Sequence, residues 1–361
     1  MSSADVLFVS KPVAPPWNDS SKNLVRDLAG ALRSVRGVTL CRRGTGGPGR
    51  AVYPPAVEGG GFAPGFRDQA AVLGALAVSQ EPLWHFFFAP NPRTSTVGRW
   101  ASRFRRRRTV HTVCSAPAAD ADLERVLFAD RNVVLSRATE QRFLDAGVPA
   151  ERLRRIPPAV PKLPAVDPQS ASRMREELEV APDVPLAIYA GDLEVGGGAE
   201  RSLALLRHHP SAVLLMACRA KTPAAAAEEA RLRDALGSER GRVRWIGETA
   251  SILDLVGASD LLLLPSDSLY AKMDYPLVVL EAMAMGVPAL VCEGTPAAEL
   301  VAGGGVEAAP PADAAARASA LLSDPSRLLA VGDAGREAAE RNHSPQAMAR
   351  AYEAVYEELG R

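Results

Sequence analysis

Residues 272–291 read Lys-Met-Asp-Tyr-Pro-Leu-Val-Val-Leu-Glu-Ala-Met-Ala-Met-Gly-Val-Pro-Ala-Leu-Val, and this stretch decides the fold. Just upstream lies Leu261-Leu-Leu-Leu264, an apolar run closed by Pro265 and Ser266, as in a parallel strand buried on both faces. Pro276 stands where a first helical residue belongs, with Asp274 as a cap candidate. Leu277, Val278, Leu280, Ala282 and Ala284 continue a helix too apolar for a surface, and Gly286 with Pro288 ends it. One acid, Glu281, interrupts the helix about a turn and a half from its start. Free amides at a helix N-terminus receive phosphate, and a carboxylate one turn deeper accepts hydrogen bonds from sugar hydroxyls. Together they suit a nucleotide sugar.

The same alternation of short apolar runs and amphipathic segments extends along the whole chain, which is the α/β pattern. Strands are predicted at Val6–Ser10, Val38–Cys41, Trp84–Phe88, Thr109–Val113, Asn132–Leu135 and Leu153–Ile156. A second set falls at Leu186–Ala190, Ala212–Met216, Val243–Ile246, Asp260–Leu264, Ala289–Cys292 and Gly305–Ala308. Between the sets, residues 157–168 carry prolines too dense for a helix interior and read as a semi-rigid linker. Two doubly wound domains are therefore expected, 1–160 and 161–343, with ligands at the carboxyl ends of the strands. Residues 344–361 form a terminal helix, with Met348, Tyr352, Tyr356 and Leu359 on one face. Residues 44–65, rich in glycine and proline, read as a long loop on the first domain.

Composition narrows the function classes. At 361 residues the chain is long for one core. Lys plus Arg and Asp plus Glu number 42 each, so no global field points to nucleic acid. Cys41, Cys114, Cys218 and Cys292 lie far apart without a CxxC pair and read as reduced, buried thiols. There is no charged leader with a cleavage site and no apolar run of membrane-spanning length, so a cytoplasmic protein is expected.

Pro276-Leu-Val-Val-Leu-Glu-Ala-Met-Ala-x-Gly-x-Pro288, followed by Glu299-Leu-Val301 after a strand and turn, resembles the donor-site signature of glycosyltransferase family 4. The resemblance implies retaining enzymes of the GT-B fold, two Rossmann-like domains facing a cleft: an acceptor-side N-terminal domain and a nucleotide-sugar C-terminal one. It also implies that the terminal helix crosses back to the N-terminal domain. The family usually carries two glutamates separated by seven residues; here the second is Glu281, which holds the nucleotide ribose, and the first position falls on Met273. Asp274 is the nearest acid to that vacated place and is taken as a catalytic candidate. Lys272, Tyr275, Pro276 and the backbone N–H groups of Leu277 and Val278 complete this part of the donor site.

Other segments join the resemblance. Phe128 to Pro158 is similar to the end of the family's first domain, a strand, a Ser-capped helix and a Gly-Val-Pro stop. Arg108-Thr-Val-His-Thr-Val113 resembles the strand whose histidine contacts the donor sugar, which makes His111 the catalytic candidate and His85 its competitor. The loop Ala190-Gly-Asp-Leu-Glu-Val-Gly-Gly-Gly-Ala-Glu-Arg201 has consecutive glycines that let backbone amides close on an anion. Gly191, Asp192, Glu194, Gly197 and Arg201 are its donor-site candidates. Where the family has an arginine and a lysine on the diphosphate, this chain has Asp192 and Gly197; Arg201, Lys221 or Lys272 are the cations that could compensate. After the first strand, Lys11, Trp17, Asn18 and Lys22 form an acceptor-side wall, with Asp19 or Ser20 capping a helix from Leu24 to Val35.

The function implied is sugar transfer from a nucleotide-diphosphate donor, used as co-substrate, to a hydroxyl of a saccharide, lipid-linked or small-molecule acceptor, with no metal or other cofactor. A GT-B epimerase, a glycosyl phosphate-forming enzyme and a non-catalytic nucleotide-sugar-binding subunit share the architecture and stay open. Val97, Trp100 and Phe104 lie on one helical face among Arg99, Arg103 and Arg105 to Arg108, a pattern suited to peripheral contact with the inner membrane surface. Asp120-Ala-Asp122 reads as a helix start, and no Cys/His cluster has metal spacing.

Overall fold

In the computed structural model, residues 5–17, 19–45, 49–55, 65–118, 120–220, 222–247, 249, 251–268 and 272–360 are described. They fall into two compact units. The first comprises residues 1–161, the short segment ending at Asp274, and 344–361; the second comprises 162–270 and 275–343.

The first unit runs β1 (Asp5–Val9), α1 (Ser20–Ala31), β2 (Arg36–Val38), β3 (Leu40–Arg42), β4 (Arg50–Tyr53), α2 (Phe66–Val78) and β5 (Leu83–Phe88). It continues with α3 (Pro92–Arg105), β6 (Arg108–Val113), α4 (Leu123–Val126), β7 (Arg131–Val134), α5 (Arg137–Asp145) and β8 (Leu153–Arg155). The second unit runs α6 (Pro168–Glu177), β9 (Leu186–Tyr189), α7 (Gly198–His208), β10 (Val213–Met216), α8 (Pro223–Ala235), β11 (Val243–Trp245), α9 (Ile252–Ala258) and β12 (Leu261–Leu264). Then come α10 (Leu277–Met285), β13 (Ala289–Cys292), β14 (Val306–Ala309), α11 (Ala314–Leu322) and α12 (Pro325–Asn342). The last helix, α13 (Pro345–Gly360), belongs to the first unit.

Each unit holds a six-stranded parallel sheet, ordered β2-β1-β5-β6-β7-β8 in the first and β11-β10-β9-β12-β13-β14 in the second. Strand order reverses between β1 and β5 and between β9 and β12. In a doubly wound sheet that reversal splays the flanking loops and opens a crevice at the strand carboxyl ends. Burial explains the apolar runs: Leu261, Leu262 and Leu263 are enclosed on both faces, each contributing roughly 2 kcal/mol. Arg175, buried, pins the entry to the second sheet by donating to the carbonyls of Ala258 and Val184 and to Asp260, whose carboxylate also accepts from Leu186 N–H at 2.8 Å.

Several boundaries differ from the sequence reading. The expected strand Val38–Cys41 is two strands in two sheets. Val13 N–H takes the carbonyl of Leu40, and Arg50 N–H takes that of Thr39, so the chain leaves the main sheet after Val38 and pairs with β4. β4 lies inside the expected loop 44–65, of which residues 46–48 and 56–64 are outside the described residues. The helix expected from Leu24 starts four residues earlier, because Asp19 accepts from the N–H groups of Ser21 and Lys22. Asp122 caps α4, as a helix-start pair should.

A buried chain of polar groups fastens α13 within the first unit. His85 Nδ1 contacts the Tyr356 hydroxyl at 2.7 Å and its Nε2 the Thr112 hydroxyl at 2.8 Å, which in turn meets the Tyr352 hydroxyl at 2.9 Å. Burial pushes the His85 pKa well below its ordinary value, so the ring is neutral, donating from one nitrogen and accepting at the other. The Glu353 carboxylate also accepts from the backbone N–H groups of Arg33 and Ser34 at 2.6 Å. Tyr356→Phe removes one partner of a fully buried imidazole nitrogen and is expected to cost about 1–3 kcal/mol in urea unfolding; an unchanged midpoint would show that the nitrogen finds another partner.

Candidate functional site

The site takes shape in the second unit, where β9 and β12 lie side by side and the strand order turns. After β9 the chain enters residues 190–197. Tyr189, buried in the sheet, donates its hydroxyl to the Asp192 carbonyl at 2.6 Å. The Asp192 carboxylate accepts from Leu193 N–H at 3.2 Å. Glu194 is exposed, and its carboxylate accepts from the hydroxyl of Thr222, the residue that caps α8.

The loop after β12 meets this one backbone to backbone: Asp267 N–H donates to the Gly196 carbonyl at 3.0 Å. Such proximity demands glycine. Gly197 caps α7 in the left-handed region, and a Cβ on Gly198 would sit 2.8 Å from the Tyr189 hydroxyl and against Ser266. Arg201, one turn into α7, bridges both loops. Its guanidinium donates to the carbonyls of Gly196 and, at 3.0 Å, Pro265, and pairs with the Asp267 carboxylate. A Cβ on Gly197 would lie 3.3 Å from that guanidinium.

α10 supplies the third wall. Pro276 is the N-cap rather than the first helical residue, and a proline side chain offers no oxygen to satisfy the helix start. The backbone N–H groups of Leu277 and Val278 have no hydrogen-bond partner among the described residues, and the first turn carries no acid. Glu281 is half-buried one turn deeper. Uncapped amides with a positive dipole end and no competing carboxylate form an anion seat. Tyr275 is buried, donating its hydroxyl to Glu299 at 2.7 Å and setting its ring edge-on to His343. Asp267 was missed from sequence; the signal was a short polar cluster, Ser266-Asp-Ser268, closing an all-leucine strand.

Other sequence-derived residues lie in the first unit. Asp274 does not hold the N-cap position of α10, which Pro276 occupies; its buried carboxylate accepts from the Ser136 hydroxyl at 2.6 Å. Met273 is buried and Lys272 half-buried. Lys11 pairs with Asp19 at 2.7 Å, and Lys22 donates to the Pro16 carbonyl at 2.9 Å. Trp17 is half-buried beneath the Arg26 guanidinium, 4.8 Å from its ring. Burial pushes the Asp19 carboxyl up, but Lys11, the Ser21 hydroxyl and the Lys22 backbone N–H outweigh it and hold it at about 2. Asn18 and Lys221 lie outside the described residues.

His111 is fully buried against Phe88 and Phe128, with Nε2 on the Phe88 carbonyl at 3.1 Å and Nδ1 without a partner among the described residues. Burial lowers its pKa to about 4 against the pull of that carbonyl, so the ring is neutral near pH 7. No group of three or more His, Cys, Asp or Glu side chains among the described residues could hold a metal ion. No described helix is long and apolar enough to cross a membrane.

Residues 200–324, spanning α7 to α11, match the family model described as Glycosyl transferases group 1. That segment, about a third of the chain, is what resembles the group 1 glycosyl transferases. A curated relative, the lipopolysaccharide core biosynthesis mannosyltransferase LpsB of Rhizobium meliloti (strain 1021), is 34% identical over 166 residues. That match covers 44% of this chain and 46% of the relative, so it spans about half of LpsB. Among solved structures, Anabaena Alr3699/HepE in complex with UDP and glucose superposes with a TM-score of 0.79 at 19% identity, covering 99% of this chain and 100% of that one. Sucrose-phosphate synthase from Thermosynechococcus elongatus gives 0.74 at 21% identity, covering 98% and 99%. The fold is GT-B, with two Rossmann-like domains.

Two measurements test these arrangements, one in each unit. Gly198→Ala pushes a methyl group against Tyr189 and Ser266 and should cost about 1–3 kcal/mol in chemical unfolding; a wild-type midpoint would mean that the loops part freely. For His111, the folded pKa lies below the unfolded one. Its contribution is therefore present above about pH 6.5 and lost as pH falls toward 4. Between pH 7.5 and 5 it should remove about 2 kcal/mol of stability, and His111→Gln should flatten that part of the urea profile. An unchanged slope would show that the imidazole is hydrated.

Proposed function

We propose that the chain is a retaining glycosyltransferase that moves a sugar from a nucleotide-diphosphate donor to an acceptor hydroxyl without a catalytic metal. The observation that carries this reading is the start of α10: two backbone N–H groups unpartnered among the described residues, no acid in the first turn, and half-buried Glu281 one turn deeper. In this reading the donor diphosphate sits on Leu277 and Val278 N–H, Glu281 holds the ribose, and the loop Gly191–Gly197 closes over the phosphates. Arg201 and Lys272 supply the positive charge. Tyr275 and Pro276 shape the wall, and Asp192 and Glu194 serve through the hydrogen bonds that set the loop.

Retention needs no protein nucleophile here, because the leaving phosphate takes the acceptor proton. The protein positions the reactants and stabilises charge on the leaving group. His111 enters as a neutral imidazole beside the donor sugar and Asp274 as the nearest acid. Lys11, Trp17, Asn18 and Lys22 form the acceptor side. HepE was solved with UDP and glucose and LpsB is named a mannosyltransferase, which supports a nucleotide-activated hexose as donor. A cytoplasmic location, a saccharide, lipid-linked or small-molecule acceptor and peripheral contact with the inner membrane surface complete the reading.

A second reading keeps the site and drops turnover. It is favoured by Asp192, standing where the family has an arginine, and by Arg201, whose guanidinium already serves Asp267 and two carbonyls. Thermal unfolding with UDP-, GDP-, ADP- and TDP-sugars separates the cases. One nucleotide at a hundredfold over its Kd should raise Tm by about 5–10 °C, and Glu281→Ala should abolish that rise. Release of nucleoside diphosphate with an acceptor assigns turnover; binding without release assigns the second reading. If no nucleotide shifts Tm, the donor site is wrong.

A further inference from the structure

Two helices of the first unit concentrate its exposed apolar side chains. Phe66, Leu73 and Val78 stand on α2, and Val97, Trp100 and Phe104 on α3, which packs beside it. Elsewhere among the described residues, only Val301 and Leu329 are large apolar side chains so exposed. Trp100 and Phe104 stack face to face at 5.6 Å yet stay 65% and 73% exposed, so stacking does not remove them from water. An apolar face of this kind marks an interaction surface.

Charge says what covers it. α2 and α3 carry Arg67, Arg93, Arg99, Arg103 and Arg105 against a single acid, Asp68, which is buried against Arg42. An aromatic stripe rimmed by arginine, with no exposed carboxylate on either helix, complements an anionic lipid surface.

Beside the stripe lies a cavity of about 510 Å³, lined in part by Arg99, Arg103, Arg108, Arg131 and Arg152. Arg99 is committed to the carbonyls of Glu124 and Arg125, Arg131 to Glu358, and Arg152 to the carbonyls of Leu127 and Ala129. Arg103 and Arg108 are exposed, and neither guanidinium has a hydrogen-bond or ion-pair partner among the described residues. Of the acids in the lining, Asp130 accepts from the Thr109 N–H and hydroxyl, and Glu358 pairs with Arg131 and Arg154. Glu124 is the remaining carboxylate, so the lining carries surplus positive charge.

We propose that this face docks on an anionic membrane, with Trp100 and Phe104 at the headgroup–acyl boundary and a lipid headgroup phosphate held in the cavity by Arg103 and Arg108. A guanidinium fork matches two phosphate oxygens at once, which gives the cavity its preference. The proposal rests on the membrane contact read above, not on sugar transfer, and adds the headgroup chemistry and its site.

The test is co-sedimentation of the full chain with phosphatidylcholine vesicles, with and without phosphatidic acid, at physiological salt. Wild type should bind only the acidic vesicles. Trp100→Ser with Phe104→Ser should weaken that binding. Arg103→Gln with Arg108→Gln should weaken it about 25-fold, since each cation at an anionic surface contributes about fivefold. All four side chains are exposed, so Tm should stay at the wild-type value. Absence of wild-type binding, or arginine variants that bind like wild type, would overturn the proposal. So would a Tm rise with inorganic phosphate that needs Arg103 and Arg108 while vesicles fail to bind, which would assign a soluble phosphate ligand. A nucleotide-sugar Tm shift that persists while vesicles fail to bind overturns the docking alone and leaves the donor site standing.

Discussion

A single backbone hydrogen bond, from Asp267 N–H to the Gly196 carbonyl, ties the loop after β9 to the loop after β12. Much of the arrangement of these two loops goes with that closeness. It favours glycine at Gly198, where a Cβ would strike Tyr189 and Ser266, while Gly197 takes the left-handed conformation that glycine adopts without strain. It places two carbonyls where one guanidinium reaches both, so Arg201 becomes a bracket between loops. It also fixes the chain leaving β12 at Asp267. Parallel order makes such a meeting possible: neighbouring strands in a parallel sheet end at the same edge, and at the reversal their loops diverge enough to leave room for a ligand.

The sheets were legible because parallel strands are buried on both faces, and burial on both faces writes an unbroken apolar run into the sequence. Leu261–Leu264 and Ala289–Cys292 lie where the runs are. Pairing partners are less visible. Val38 and Leu40 look alike in sequence, yet one pairs with β1 and the other with β4, a choice made by the distant carbonyl contacts of Val13 and Arg50. β4 was hidden for the same reason, being short and half-exposed at the edge of a glycine-rich segment.

Side-chain partners across long sequence separations were the least legible. Asp274 looks like a helix cap from its neighbours, but its carboxylate meets Ser136, 138 residues away. Arg201 is plainly a cation on a helix after a glycine loop; only the fold reveals that Asp267 shares it. His111 on an alternating strand gives no sign of which face is covered. Its burial depends on Phe88 and Phe128, supplied by another strand and a loop. Local rules of capping and periodicity thus located the elements, while the ionic and hydrogen-bonded state of each candidate depended on tertiary contacts.

The polar chain that anchors α13 also orders events during synthesis. Tyr352 and Tyr356 fill a slot between strands made hundreds of residues earlier, whereas the second unit is complete once residue 343 has been added. On the ribosome the later unit can therefore close first. The earlier one waits with His85 and Thr112 uncovered until the final helix leaves the exit tunnel, reversing the usual N-to-C sequence of domain folding. The nascent first unit is thus exposed for longer to chaperones and proteases, and its completion is tied to the synthesis of α13.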